Sequence, residues 1–472
     1  MIEARHIEAL KGLAGEKGLL TEEADMAAYE TGARYDRGRA AFVARPATTA
    51  EASAIVSYCV RNAIALVPQS GNTGLVSGST PDGSGRQGVL SLNRLTAPFD
   101  LDRVNRSVRA GAGLRLSDLN GRLEESGLFF PIDLGADPRL GGMIATNTGG
   151  SRFLRYGDVR RNVLGLTVVL ADEAGTVLDL SSDLRKNNTG VDWKQIFIGT
   201  SGAFGVVTEC VLNLEPAPKQ SATALLVPAS ADQVATLLVA MEDTLGSYLS
   251  AFEGMSGNAV AAALDHVPSL RNPFQGGVVP GFVILAEISR ATPPRAGEQP
   301  LDAVLEEVLA AIWEREDAPL ADAFVGPPHE IWALRHALSE GVKHRGRLIA
   351  FDLSFRRGDI MPFLAHMKAE MPDHFEDVTI CDFGHIGDGG VHFNLVVAKD
   401  DPRLADPDFE ADLREWVFTV AVEQFGGSFS AEHAIGRKNQ AFYDRYTPEK
   451  LRALAAGLKT ITSPGPLGTI TF

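Results

Sequence analysis

Three glycine-rich loops interrupt the first 205 residues: PQSGNTGLVSGS from Pro68 to Ser79, DLGADPRLGGMIATNTGG from Asp133 to Gly150, and GTSGAFG from Gly199 to Gly205. Glycine lacks a Cβ and tolerates positive φ, so such loops let backbone N–H groups approach an anion closely. The first loop follows a short apolar strand, a position that suits a diphosphate. It is neither GxGxxG nor GxxxxGK[ST], which argues against nicotinamide-dinucleotide and P-loop sites. Alone it could be a plain turn. In the second loop, Gly141, Gly142, Gly149 and Gly150 bracket Ala145, Thr146 and Asn147, small residues that leave room for a flat, extended cofactor. The third loop runs into the strand-like Val206, Val207, Thr208. Three such loops are hard to explain as turns alone.

The elements around the loops are legible from periodicity. Residues 1 to about 35 read as short helices, with Ile7, Leu10 and Leu13 at helical spacing. AAFVARP reads as a strand, and Thr48 with Glu51 forms a capping box opening the helix TAEASAIVSYCVRNA. Ala65 to Val67 is the next strand. VLGLTVVLADEAGTVLDL predicts two strands joined at Asp172 to Gly175. Beyond residue 217 the texture changes to runs such as GFVILAEIS alternating with amphipathic helices. In LDAVLEEVLAAIWER, apolar residues at 301, 304, 305, 308, 309 and 312 form a helical stripe.

At 472 residues the chain is too long for one ordinary domain. A net charge of −16 argues against a nucleic-acid partner, which needs a basic face. Three separated cysteines, Cys59, Cys210 and Cys381, make neither a disulfide framework nor a thiolate cluster. The start, MIEARHIEAL, lacks an apolar signal core, and no apolar run of about eighteen residues occurs. The expectation is a cytoplasmic protein without a membrane span.

The segment FGHIGDGGVHFN carries the most chemistry. Asp388-Gly389 predicts a type I′ hairpin. With those two as the turn, His385 faces His392 across the strands, and directly opposed residues share one face. Two imidazoles so placed can hold one metal ion, and Asn394 lies on the same face as His392. Glu432, in SAEHAIG, is the candidate third ligand; on spacing alone an exposed loop dyad is the better account of Glu432 and His433. Nitrogen and carboxylate donors fit Zn, Mn, Fe or Co better than Ca.

Taken together and in order, PQSGNTG, GGMIATNTGG, GAFGVVTE, GHIGDGGVH and SAEH resemble the FAD-dependent D-2-hydroxyacid dehydrogenases (D-2-hydroxyglutarate, D-lactate and glycolate dehydrogenases) of the vanillyl-alcohol oxidase and p-cresol methylhydroxylase superfamily. The resemblance runs from about residue 35 to about 440. It implies an α+β chain: a two-part FAD-binding domain with mixed sheets over 1–217, and a substrate and metal domain over 218–425 with an antiparallel sheet covered by helices. A C-terminal segment over 426–472 would carry the Glu-His motif and pack back toward the FAD domain. It implies FAD contacts at Pro68, Ser70, Gly71, Asn72, Thr73, Gly74, Gly78, Ser79, Gly142, Ala145, Thr146, Gly149, Gly205 and Val207. The first loop holds no His or Cys, so the FAD is expected to be non-covalent. His385, His392 and Glu432 match the family's metal ligands, with zinc first and Mn, Co or Fe next, and His433 matches its catalytic base. Arg335 and Ser339, one helical turn apart, match substrate-binding positions, with Asn394 beside the histidines. The implied reaction oxidises a small D-2-hydroxy acid. Electrons would pass to an electron-transfer flavoprotein, a quinone or a cytochrome, and a homodimer is allowed.

The chain departs from the family in three places. Ala350 stands where hydroxyglutarate dehydrogenases carry a Lys, which weakens the case for a dicarboxylic substrate; Lys343, Arg345 and Arg347 are nearby cations that could compensate. Ala434 replaces a usual glycine. SPGPLGTITF lacks the common Asn-Pro-Gly ending, which puts a late FAD contact in doubt. D-2-hydroxyglutarate is the first substrate reading and D-lactate or glycolate the second. Outside this class stand the related alkylglycerone-phosphate synthase, which needs no metal, a flavin-free His/His/Glu metallohydrolase, and a non-catalytic binding protein.

Overall fold

Thr48 accepts the backbone N–H of Glu51 at 3.1 Å, and the Glu51 carboxylate accepts from Ala47 N–H at 2.7 Å. The capping box therefore forms with its return bond one residue earlier than the usual pattern, and it starts the helix Thr49–Arg61. In the computed structural model, which describes residues 2–15, 17–34 and 36–472, this helix links the strands Ala40–Ala44 and Leu66–Gln69. Both strands pair in parallel with Gln87–Ser91, which lies between them, and Leu19–Leu20 closes the far edge. A second sheet is antiparallel throughout, in the order Phe99–Asp102, Ser107–Gly111, Val206–Asn213, Val163–Val169, Val177–Leu180. The predicted turn between its last two strands closes with Gly175 N–H on the Asp172 carbonyl. One apolar core, including Phe42, Ile55, Leu90, Val168 and Leu212, serves both sheets.

The chain divides into two compact units. The first joins residues 1–149, 157–216 and 432–472; the second joins 150–156 with 217–431. The second unit is built on one antiparallel sheet. Its order is Leu320–Gly326, Gln220–Pro228, Phe282–Arg290, Leu249–Ser256, Phe383–Gly384, Gly390–Val397, Arg347–Ser354, with Thr379–Ile380 also on Gly390–Val397. The helix Leu301–Trp313 buries the stripe Leu301, Leu305, Val308, Leu309 and Ile312, each worth roughly 1.5–3 kcal/mol on full burial. The helices Gly257–His266 and Pro328–Arg345 approach so closely that a Cβ on Gly341 would sit 2.7 Å from the backbone of Ala262. Only glycine fits there. The α+β architecture agrees with expectation: mixed and antiparallel sheets in the first unit, and a helix-flanked antiparallel sheet in the second.

The short segment Gly150–Tyr156 joins the second unit through a buried ion pair. Arg152 meets Glu287 with two parallel bonds of 2.8 and 2.9 Å. Ser250 Oγ and Trp332 Nε1 donate to the same carboxylate at 2.7 and 2.8 Å. The Arg152 guanidinium also lies over the Trp332 ring, 4.8 Å from its centre. Every carboxylate oxygen is engaged, the condition under which a buried charge is tolerated.

Candidate active site

The first loop leaves the strand Leu66–Gln69 and is held by side chains. Gln69 Nε2 donates to the carbonyls of Tyr29 and Ser79, each at 2.8 Å. Asn72 Nδ2 donates to Thr31 O at 2.8 Å while its Oδ1 accepts from Ser79 Oγ at 3.0 Å. Among the described residues, the backbone N–H groups of Gly71 to Gly78 donate to no acceptor of the chain, and Ser70 Oγ is buried without a partner. The second loop closes on the first: a Cβ on Gly142 would meet Ser70 Cβ at 3.3 Å, and one on Gly71 would meet Arg139 N at 3.3 Å. The third loop completes the cradle, with Ser201 N–H on Ala145 O at 2.7 Å and Gly202 beside Pro68. Thr146 Oγ1 turns back to Gly142 O at 3.0 Å. Gly149 ends this unit's first segment, Gly205 packs on Val168, and Val207 pairs with Val168. Loop amides and an orphaned hydroxyl, walled by glycines, fit the diphosphate of a flat dinucleotide.

The C-terminal residues return to this cradle. Leu467 pairs in parallel with Leu66, and Thr469 Oγ1 donates to Gly78 O at 2.9 Å. Lys438 N–H reaches Val76 O at 3.3 Å. The departure from an Asn-Pro-Gly ending therefore leaves the tail seated on the first loop.

In the second unit, the histidine hairpin forms in a different register from the one expected. Phe383, not His385, pairs with His392. His385 O accepts from the N–H groups of Asp388, Gly389 and Gly390, and Asp388 Oδ1 accepts from Gly390 N–H. Asp388 has no positive φ, which a type I′ turn requires at both central residues. The wider loop buries Ile386 against Gly254, and this packing outweighs the local turn preference. The imidazoles still meet, edge to face, with centres 5.2 Å apart. Asn394 is buried and donates to His392 O at 3.1 Å.

Two carboxylates that sequence reasoning did not single out back these histidines. Glu253 Oε1 lies 2.7 Å from His385 Nδ1, and its Oε2 accepts from both Nε and Nη2 of Arg335 at 2.8 Å. Burial would raise the Glu253 carboxyl; His385 and Arg335 beside it outweigh burial and hold it at about 2. Asp352 pairs across the sheet with His392, with Oδ1 3.6 Å from Nδ1. Asp352 Oδ2 also accepts the N–H of Ala431, the last residue of the second unit, at 3.0 Å. Glu432 and His433 continue the chain directly from this anchored residue. His385 and His392 thus bring two imidazoles together in one hairpin, nitrogen donors suited to zinc or another first-row divalent ion.

On the helix Pro328–Arg345, Arg335 is buried and directed at Glu253, whereas Ser339, one turn on, is exposed. The three cations proposed to compensate for Ala350 are engaged elsewhere at the surface: Lys343 with Glu340 at 2.6 Å, Arg345 with Asp265, and Arg347 with Glu410 at 3.3 Å.

Comparison with known proteins supports a flavin cofactor. Residues 40–181 match the family of FAD binding domains, and residues 217–464 match the C-terminal domain of FAD linked oxidases. The fold matches p-cresol methylhydroxylase with substrate bound at a TM-score of 0.72 and 13% identity, over 98% of this chain and 94% of that one. The class is thus that of the FAD-dependent oxidoreductases, on the two domain families matched. Mitochondrial D-2-hydroxyglutarate dehydrogenase from Danio rerio is 33% identical over 91% of this chain and 77% of its own length. The mitochondrial enzyme of that name from Arabidopsis thaliana is 31% identical over 98% and 80%. Within that class, the chain belongs to the FAD-dependent D-2-hydroxyacid dehydrogenases. The mitochondrial names of these relatives overturn the expected cytoplasmic location, which rested on separated cysteines, a start without an apolar signal core and the lack of a long apolar run. Among the described residues, no helix is long and apolar enough to cross a membrane.

Proposed function

We propose that the chain oxidises D-2-hydroxyglutarate to the 2-oxo acid, with a divalent metal ion on His385, His392 and Glu432 and with His433 as the base. The name carried by the relatives supports the substrate. The metal reading is supported by one observation, the His385 and His392 imidazoles meeting edge to face with centres 5.2 Å apart. When bound, FAD supplies the acceptor for the substrate's α-hydride, and the metal supplies positive charge opposite the developing alkoxide. The protein's own part is positional and acid–base. His433 takes the hydroxyl proton, so loss of a proton and a hydride converts the alcohol to the ketone. Arg335, Ser339 and Asn394 are the proposed substrate-binding residues. The cofactor is proposed to lie over residues 1–217, and the substrate and metal over 218–425, with 426–472 bringing in the Glu-His motif. Zinc is the first choice of metal, with Mn, Co or Fe as alternatives. An electron-transfer flavoprotein, quinone or cytochrome would then reoxidise the flavin.

A second reading takes a monocarboxylate such as D-lactate. It is favoured by Ala350, which faces Asn394 across the sheet, and by the outward ion pairs of Lys343, Arg345 and Arg347. Anaerobic spectra decide between the two. Bleaching of the flavin by D-2-hydroxyglutarate and not by its L-isomer supports the first reading. Bleaching by D-lactate alone supports the second. Full turnover by the metal-stripped protein removes the metal from both.

A further inference from the structure

Glu253 is a deeply buried carboxylate beside His385, at 1% exposure, on the strand Leu249–Ser256 in which every residue is buried. Burying an ionised group is costly, and apolar replacement of a buried ion pair often leaves stability unchanged or raised. Stability is therefore a poor reason for a carboxylate at this position. Its geometry supplies a better one. Oε1 meets His385 Nδ1 at 2.7 Å, and Oε2 meets Arg335 Nε and Nη2 at 2.8 Å. A carboxylate on Nδ1 keeps the imidazole proton there and leaves Nε2 unprotonated, the form that ligates a metal. Arg335 in turn fixes the carboxylate plane, itself resting over the Phe383 ring at 5.0 Å. Phe383 stands opposite His392 in the hairpin. One chain of contacts thus runs from Arg335 through Glu253 to His385.

Resting on the metal reading above, we propose that Glu253 is a positioning residue for the metal site. It sets the tautomer and direction of His385, and Arg335 acts on the metal through Glu253. Arg335 then has a measurable effect on metal affinity, separate from any effect on substrate.

The test uses the full-length, FAD-loaded protein, stripped with a chelator and titrated with zinc. Glu253→Gln is expected to keep the flavin spectrum and to bind zinc about 10–100-fold more weakly, with activity largely restored at saturating zinc. Arg335→Lys, which loses the two-point grip on one oxygen, is expected to weaken zinc in the same direction and to raise KM as well. Unchanged zinc affinity in Glu253→Gln, with only a lower melting temperature, overturns the proposal and leaves Glu253 a structural residue. Should Glu253→Gln not fold, Glu253→Asp carries the test: the shorter side chain cannot reach both partners, and wild-type zinc affinity in it overturns the proposal equally. His385→Ala is titrated in parallel. If it binds zinc like the wild type, the metal reading itself falls. If it loses zinc while the Glu253 variants do not, only the role of Glu253 falls.

Discussion

Asp352 accepts the backbone N–H of Ala431 at 3.0 Å, on the strand that pairs Asp352 directly with His392. One carboxylate therefore serves a ligand candidate on the sheet and the backbone that leads into Glu432 and His433. Asp352→Ala is expected to lower zinc affinity by about 10–100-fold while the flavin stays bound. Zinc titration of the FAD-loaded variant checks this, and wild-type affinity would show that Asp352 orients nothing.

His433 and His385 are expected to fail differently. His433→Ala should retain both FAD and metal, with flavin reduction slowed by about 10²–10⁴-fold, the usual worth of a general base. His385→Ala should lose metal and activity together. Stopped-flow reduction combined with metal analysis separates the two outcomes, and normal reduction by His433→Ala removes it from the chemistry.

A Cβ on Gly142 would already meet Ser70 Cβ at 3.3 Å, a tight contact. Gly142→Val places branched carbons between the first two loops. The variant should fold but purify with less flavin. The ratio of flavin to protein absorbance reports it, and full occupancy would show that this wall does not border the cofactor.

The Arg152–Glu287 pair predicts a pH dependence. Burial raises the Glu287 carboxyl, but the bonds and charge from Arg152, with Ser250 and Trp332, outweigh burial and lower it overall. A carboxylate lowered on folding stabilises fully above its ordinary value of about 4.5 and loses that contribution as pH falls through the folded value. Glu287→Gln should therefore cost about 3 kcal/mol at pH 7, and the gap to wild type should narrow below pH 4.5. Urea midpoints at both pH values measure this; a constant gap would place the loss in packing rather than charge.

Ala434 adopts φ 61°, a left-handed conformation in which a Cβ is strained. Asn439 holds the turn, donating to Ala434 O at 3.1 Å and accepting Gly436 N–H at 2.7 Å. Ala434→Gly should raise stability by about 1 kcal/mol, read as a higher urea midpoint. A fall would mean that unfolded-chain entropy outweighs the relief of strain.

Much of the site could be read from residue types alone. The glycine loops, the Thr48 cap and the Leu301–Trp313 stripe are local patterns, and each formed; His385 and His392 came together, though not as directly opposed residues. The register of the hairpin was not legible, because Asp388-Gly389 is a strong turn signal and its defeat depends on Ile386 meeting Gly254, 132 residues earlier in the chain. The fate of Arg335 was equally hidden. Its helical position can be read, but its partner Glu253 lies 82 residues away on another strand.

Sequence by itself determined what is written in short-range pattern: the helix and strand periods, the glycine loops, the histidines and the Glu-His pair. Dihedral preference, periodicity and glycine's lack of a Cβ act over a few residues and need no knowledge of the rest. Only the tertiary structure decided which carboxylate stands behind which histidine, how the hairpin closes, and that Arg335 is tied to Glu253. Those outcomes depend on burial, which forces each charged group to find partners wherever the packed sheet brings them, at separations no local pattern records.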